Sequence, residues 1–414
     1  MPGQAQTPYN VSKISVSEAI RELYEAYPYP SRIPGGSADP FLEYIWSFGE
    51  HTAKKTKSFL DAGCGTGLNV MGGAAIYPHF QVYGCDLNRV GLEKLSNEAA
   101  ALGLTNLHLK EMDLLNLDPE FGPEEGFDII YSTGVIHHTP DPVGILKSLA
   151  RRLAPNGVLR LMVYGELGRH DLYRFARVAR KLYGDSDLDW TEKVAKGRAL
   201  MAEIKKAGDT FGTCPPPVFR GPWEDAERVD DVEFADRYLN PHDQPFSVKS
   251  LQQACQEANL HFLDWFEPRD WDLDLLLPEF AAGGLAPEDP WERFALIEEL
   301  FDRPKLDLYL VGPEFVKRGP IKVNPDTYIG LNPQLFLNCI KARGMSFHRA
   351  AQLRLSQEVV LDRDQGQLLE GIGRRFLPLK DLLQEMPNPS SPHWLEVAQD
   401  LVDRTFLFSP HPPA

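Results

Sequence analysis

Asp61, Asp86 and Asp113 each stand just past a short apolar run, and Gly63, Gly65 and Gly67 follow the first of them at alternate positions. Glycine carries no Cβ, so a bend built from it lets backbone approach a ligand closely. A helix starting near Leu68 adds first-turn amides that are expected to face the same crevice unpaired. Asp86 lies 21 residues beyond Gly65. Nucleotide folds place a carboxylate on ribose hydroxyls at a spacing of about 20, because a carboxylate can accept two hydrogen bonds from a cis-diol. Capping the following helix is a second role for Asp86, and both can hold at once. Together these residues read as a nucleotide-type site made largely of main chain.

The glycine spacing excludes two common versions of that site. A Gly-x-Gly-x-x-Gly fingerprint counted from Gly63 meets Leu68 at its third glycine position, and counted from Gly65 it meets Val70. A phosphate loop ending in Gly-Lys-Ser/Thr is absent as well. A nicotinamide oxidoreductase is therefore disfavoured.

The elements that must position these residues alternate. Strands are expected at 58–61, 80–87, 106–110, 127–132, 157–164 and 357–361, with helices at 40–51, 68–75, 89–101 and after Pro142, and Pro215-Pro216-Pro217 marks an irregular stretch. Apolar runs of this kind read as buried parallel strands, and their alternation with helices predicts a parallel sheet with right-handed crossovers. Val90, Leu92, Leu95, Ala99 and Leu102 are the expected apolar face of the helix after Asp86, which Gly103 ends.

Composition sets outer limits. The 414 residues allow two or three domains, are 43% hydrophobic and 25% charged, and carry a formal net charge of −16. That charge argues against a broad nucleic-acid surface or an anionic membrane partner. Five scattered cysteines show neither metal spacing nor a disulfide framework. With no secretory signal and no apolar run near ~18 residues, the expected location is cytoplasmic.

Leu60-Asp61-Ala62-Gly63-Cys64-Gly65-Thr66-Gly67 closely resembles the first motif of class I S-adenosyl-L-methionine (SAM) dependent methyltransferases. The resemblance implies a Rossmann-like seven-stranded α/β sheet with helices on both faces and an antiparallel last strand. It implies that Asp61 helps hold the ammonium group of SAM above Gly63, Gly65 and Gly67. It also implies that Asp86 and Leu87 meet the ribose, that Asp113 takes the adenine amine, and that Met112 or Leu114 packs on the ring. The strand ending in Ser132 and Thr133 would pass beside the methyl donor.

His137 and His138 follow in the loop that would face the methyl acceptor, and are the obvious acid/base candidates there, with His137 slightly favoured. Capping or backbone hydrogen bonding is the alternative for either. No metal site follows from the pair, because adjacent residues point different ways and no third ligand is evident in sequence. A catalytically silent, methyltransferase-like interaction protein is the competing function. A small-molecule acceptor is preferred, with protein or RNA acceptors and a homodimer left open.

The flanks divide the chain into a leader and lid (1–57), a methyltransferase domain (58–314) with an insertion at 185–247, and a small α/β, winged-helix-like domain (315–414). Tyr27-Pro28-Tyr29-Pro30 resembles the leader of a bacterial methyltransferase group. Tyr24, Tyr27 or Tyr29 could close over the site, or simply pack the leader down. Asp236-Arg237-Tyr238-Leu239-Asn240-Pro241 resembles the same group, with Asn240 where histidine is more familiar. A basic helix with Arg174, Arg177, Arg180 and Lys181 reads as a solvated face or an acidic-substrate entrance. Arg374, Arg375 and Lys380 cluster in the tail, where docking, dimerisation and DNA binding stay open.

Overall fold

The computed structural model describes residues 15–31, 36–51, 56–184, 186–211, 228–333, 361–373 and 375–410. Of 208–211 only the backbone is described. Seven strands form one sheet: β1 (Lys57–Ala62), β2 (Phe80–Asp86), β3 (Leu107–Glu111), β4 (Phe127–Thr133), β5 (Leu153–Tyr164), β6 (His261–Trp265) and β7 (Lys305–Val311). Their order is β3-β2-β1-β4-β5-β7-β6, with β7 antiparallel to both neighbours and the first five strands parallel. This is the Rossmann-like α/β sheet expected from the sequence. The order reverses between β1 and β4, so a crevice opens beyond the carboxyl ends of the central strands.

Apolar cores lie on both faces. One holds Leu60, Ile130, Leu146, Leu149 and Leu159, and the other Phe59, Val82, Ile129, Tyr131 and Tyr309. β1 and β4 are buried along nearly their whole lengths, as central strands covered on both faces must be. At their amino ends the buried Asp128 carboxylate accepts from the Ser58 amide (2.8 Å) and hydroxyl (3.0 Å). That pins the register of the two strands that carry the site.

Several sequence expectations shift. β5 begins at Leu153 rather than Gly157, because Leu153 already pairs with Phe127 before an irregularity in the ladder. The helix expected over 40–51 is only Leu42–Trp46, followed by a turn and a bridge from Gly49 to Lys317. In the helix Arg89–Ala101 the buried face is Leu92, Leu95 and Ala99. Val90 and Leu102 lie outside it, 50% and 59% exposed, since both point away from the sheet.

The leader forms helix α1 (Val16–Ala26), capped by Ser15. It packs against a helical layer made by His170–Tyr183, Trp190–Phe211 and Asp231–Leu239, with Leu23 fully buried there. Past β7 a three-stranded sheet joins Tyr328–Leu331, Leu377–Pro378 and Leu407–Phe408. With the helices Arg363–Ile372, Leu379–Leu383 and His393–Asp403 it encloses a core of its own. It rests on the main body through Tyr44, edge-on to Phe408 at 5.1 Å, and through Arg318, which donates to the Ser409 carbonyl. The expected strand at 357–361 and the prolines at 215–217 lie outside the described residues or at their edge.

Candidate active site

The glycine bend has positive φ at Gly63 (83°), Gly65 (50°) and Gly67 (87°), which side-chain-bearing residues rarely adopt. A Cβ on Gly65 would also lie 2.5 Å from the Tyr29 carbonyl oxygen of the leader. The amides of the bend itself are taken up within the protein. Gly63 and Cys64 donate to the Cys85 carbonyl, Gly65 to Asp86, Thr66 to the Tyr29 carbonyl and Gly67 to the Cys64 carbonyl. The bend therefore contributes shape, and recognition falls on the side chains around it.

Those side chains surround a cavity of about 420 Å³ at the carboxyl ends of β1, β2 and β4, within the ~300–1,000 Å³ usual for small-molecule sites. Asp61, Gly63, Gly65, Asp86, Leu87, Met112, Asp113, Leu114, Thr133 and His138 all line it. Asp86 accepts from the Gly65 amide at 2.8 Å and the Asn88 amide at 2.9 Å. Asp113 caps the following turn by accepting from the Leu115 amide (3.0 Å).

Three expected site residues are not on the wall. Gly67 faces Leu95 instead, and its positive φ starts the helix Leu68–Ile76. Ser132 is fully buried, as nearly all of β4 is, because both faces of this central strand are covered. His137 is fully buried behind His138, with its ring 4.1 Å from that of Tyr164. His138, not the favoured His137, is the imidazole that reaches the cavity. Neither caps the next helix; Asp141 does, accepting from the Gly144 amide.

Burial tunes the acids and rings. It pushes the Asp61 carboxyl up to about 7, a rise that the Asn69 side chain opposes. It also raises Asp86, against which the Asn88 and Gly65 amides pull down. Burial, then the neighbouring Asp236, hold the Tyr24 hydroxyl protonated, well above its ordinary value. Burial, His138 and Arg169 keep His137 neutral, far below the ordinary imidazole value.

The leader closes one side of the cavity. Tyr24 and Tyr29 line it, whereas Tyr27 packs outward against the helical layer. The Tyr24 hydroxyl donates to Asp236 (2.8 Å) and accepts from Asn240 (3.3 Å), and its carbonyl accepts from Asn88. The Thr66 hydroxyl donates to the Pro30 carbonyl at 2.9 Å. Asn240 thus serves through its amide.

Residues 60–159 match a family model described as a methyltransferase domain. The chain carries a methyltransferase domain. An uncharacterized protein of Synechococcus sp. is 27% identical over 297 residues, 69% of each chain. An uncharacterized protein of Rickettsia prowazekii is 28% identical over 242 residues, 58% of this chain and 42% of that one. The structure of PKMT2 from Rickettsia typhi superposes with a TM-score of 0.64 at 18% identity, covering 93% of this chain and 77% of that one. At that identity the likeness is one of fold. It nonetheless extends well beyond the methyltransferase domain in length.

Among the cavity residues that escaped the sequence reading are Arg160 and Asp307. Arg160 on β5 donates to both Asp307 oxygens on β7 (3.0 and 2.9 Å) and lies 3.7 Å over the Phe266 ring. A charged residue inside the apolar runs Val158–Tyr164 and Leu306–Val311 was the available signal. Several of the basic residues singled out from sequence have partners within the protein. Arg180 donates to the Asn240 carbonyl, and Arg174 pairs with Asp171. In the tail Arg375 pairs with Glu385 and Lys380 with Asp326, while Arg374 lies outside the described residues. Among the described residues, no helix is long and apolar enough to cross a membrane.

Proposed function

We propose that this chain methylates a small-molecule acceptor held at the His138 end of the cavity, beneath the leader as a lid. One observation carries the reading: Asp61, Asp86, Asp113 and their apolar neighbours line the same cavity as His138 and Tyr24. The donor set fits SAM. Asp61 suits its ammonium, Asp86 its ribose diol, and Asp113 with Met112 and Leu114 its adenine. SAM supplies a methyl group on a sulfonium, whose S–CH₃ bond breaks as the acceptor's lone pair forms the new bond and sulfur keeps the electron pair.

The chain's own residues orient and shield. Alignment of a lone pair with the methyl group supplies most of the rate in such a transfer, and the leader excludes water from it. His138 is the group placed to take a proton from the acceptor, whereas Tyr24, held protonated, is no base. The net charge of −16 supports a small acceptor over a nucleic acid. The division into a leader at 1–57, a methyltransferase domain at 58–314 with its insertion at 185–247, and a small domain at 315–414 belongs to the same proposal.

Calorimetry with SAM and with its demethylated product tests the cofactor reading; a micromolar complex, about −8 kcal/mol at 1 μM, is expected. No heat at millimolar ligand rejects it. Transfer of labelled methyl into fractionated cell extract tests the acceptor. Label in low-mass fractions supports the proposal, and label confined to protein or RNA overturns the small-molecule part.

A further inference from the structure

Behind the cavity wall, two loops bring three potential ligands together. His137 and His138 sit in a short turn after β4, and Asp243 arrives from the segment between Asn240 and Phe246. Hydrogen bonds hold the loops in place: the Gln244 amide donates to the His137 carbonyl at 2.7 Å, and His138 Nδ1 lies 3.3 Å from the His242 carbonyl. Suitable ligand atoms of the three side chains all lie within 4.8 Å of one another, and His138 Nδ1 is 3.9 Å from Asp243 Oδ1.

The second observation is what these atoms lack. His137 Nδ1 and Nε2, His138 Nε2 and Asp243 Oδ1 are buried without a hydrogen-bond partner. His137 is 0% exposed and His138 3%, and the Asp243 side chain is 4% exposed. Folded proteins satisfy nearly all such groups, so unpaired atoms gathered at one point call for an occupant.

We propose that His137, His138 and Asp243 form a binding site for one divalent transition-metal ion, of which Zn²⁺ is the type. Two imidazoles and one carboxylate suit that class, whereas Mg²⁺ and Ca²⁺ prefer oxygen alone. Zinc bonds of about 2.0–2.2 Å require the ligand atoms to draw in by roughly an ångström, which rotation of the rings and carboxylate supplies. Local charge is balanced: Arg169, stacked 3.4 Å over Tyr164, and Arg180 oppose Asp236 and Asp243. The site is accordingly one of moderate affinity, filled and emptied rather than permanently loaded. Because His138 also lines the cavity, the ion can enter from there, and while bound it holds the imidazole proposed to receive the acceptor's proton. Metal and methyl transfer thereby compete for one side chain.

The test uses the full-length chain without a histidine tag, stripped with chelator and titrated with Zn²⁺ by calorimetry and with Co²⁺ by visible absorption. About one equivalent of metal with micromolar affinity, and a Co²⁺ ligand-field band showing nitrogen ligation, are expected. Asp243→Asn and His137→Gln should each weaken Zn²⁺ at least tenfold, with circular dichroism reporting retained fold. X-ray absorption of the Zn²⁺ form should show two imidazoles. If the wild-type chain takes up no metal, water fills the gap and the proposal fails. It fails equally if uptake is unchanged in Asp243→Asn, or if the absorption edge shows no imidazole. SAM calorimetry on the same stripped protein reports separately on the methyltransferase reading.

Discussion

The Asp86 carboxylate at the end of β2 accepts the Gly65 amide at 2.8 Å, so one side chain holds the bend that ends β1. Its other oxygen accepts the Asn88 amide. Asp86 is therefore a structural strut of the cavity as well as a wall residue. Asp86→Ala should weaken SAM binding by tenfold or more, since charged hydrogen bonds contribute about 1.5–3 kcal/mol each, and Asp86→Asn should fall between it and wild type. Calorimetry decides; unchanged affinity in the alanine variant removes Asp86 from the site.

Tyr24 and Asp236 join the leader to the helix Asp231–Leu239 across 212 residues of sequence. Tyr24→Phe leaves Asp236, 2% exposed, with the Tyr164 hydroxyl at 3.3 Å. A loss of about 1–3 kcal/mol in stability is expected. In the background of Asp236→Asn the same change should cost much less, because the pair is coupled. Additive losses in the double-mutant cycle would show that the contact carries no energy.

Arg160 and Asp307 are a buried bidentate pair, and such pairs are far costlier to halve than to delete. Asp307→Leu should destabilise the fold by about 3–5 kcal/mol in denaturant unfolding. Arg160→Met together with Asp307→Leu should recover much of that loss. A double variant no more stable than the single one would contradict this account.

Glu298 is 5% exposed, and one of its oxygens accepts the Val248 amide at 2.8 Å while the other has no partner. Burial, with Glu166 and Glu299 nearby, pushes its carboxyl up to about 7 from an unfolded value of 4.5. The native state thus holds a proton that the unfolded state has released between those two values, so stability falls as pH rises through that window. Glu298→Gln removes the penalty. Its melting temperature should exceed wild type by more at pH 8 than at pH 5, and an equal gap at both pH values would rule out this titration.

The legible parts of the sequence were local. Glycines at 63, 65 and 67 and acids at strand ends were readable because strand–turn–helix units impose residue types over a few positions. The central sheet followed for the same reason, as apolar runs and helical periodicity alternate along the chain. What the sequence left undecided was whatever depends on direction: of the two histidines, His138 lines the cavity and His137 is buried behind it. A side chain's facing in a tight turn is set by what packs on it, here Tyr164 against His137.

By itself the sequence determined the parallel core, the carboxylates at its edge and the kind of ligand they suit, since each is encoded within one strand and the turn after it. Tertiary structure alone decided which groups share a space: Tyr24 with Asp236, Arg160 with Asp307, and Asp243 with the two histidines. Those pairings span from about a hundred to more than two hundred residues. No local rule relates positions so far apart; they meet because burial of the sheet's two faces and of the leader leaves them no other place.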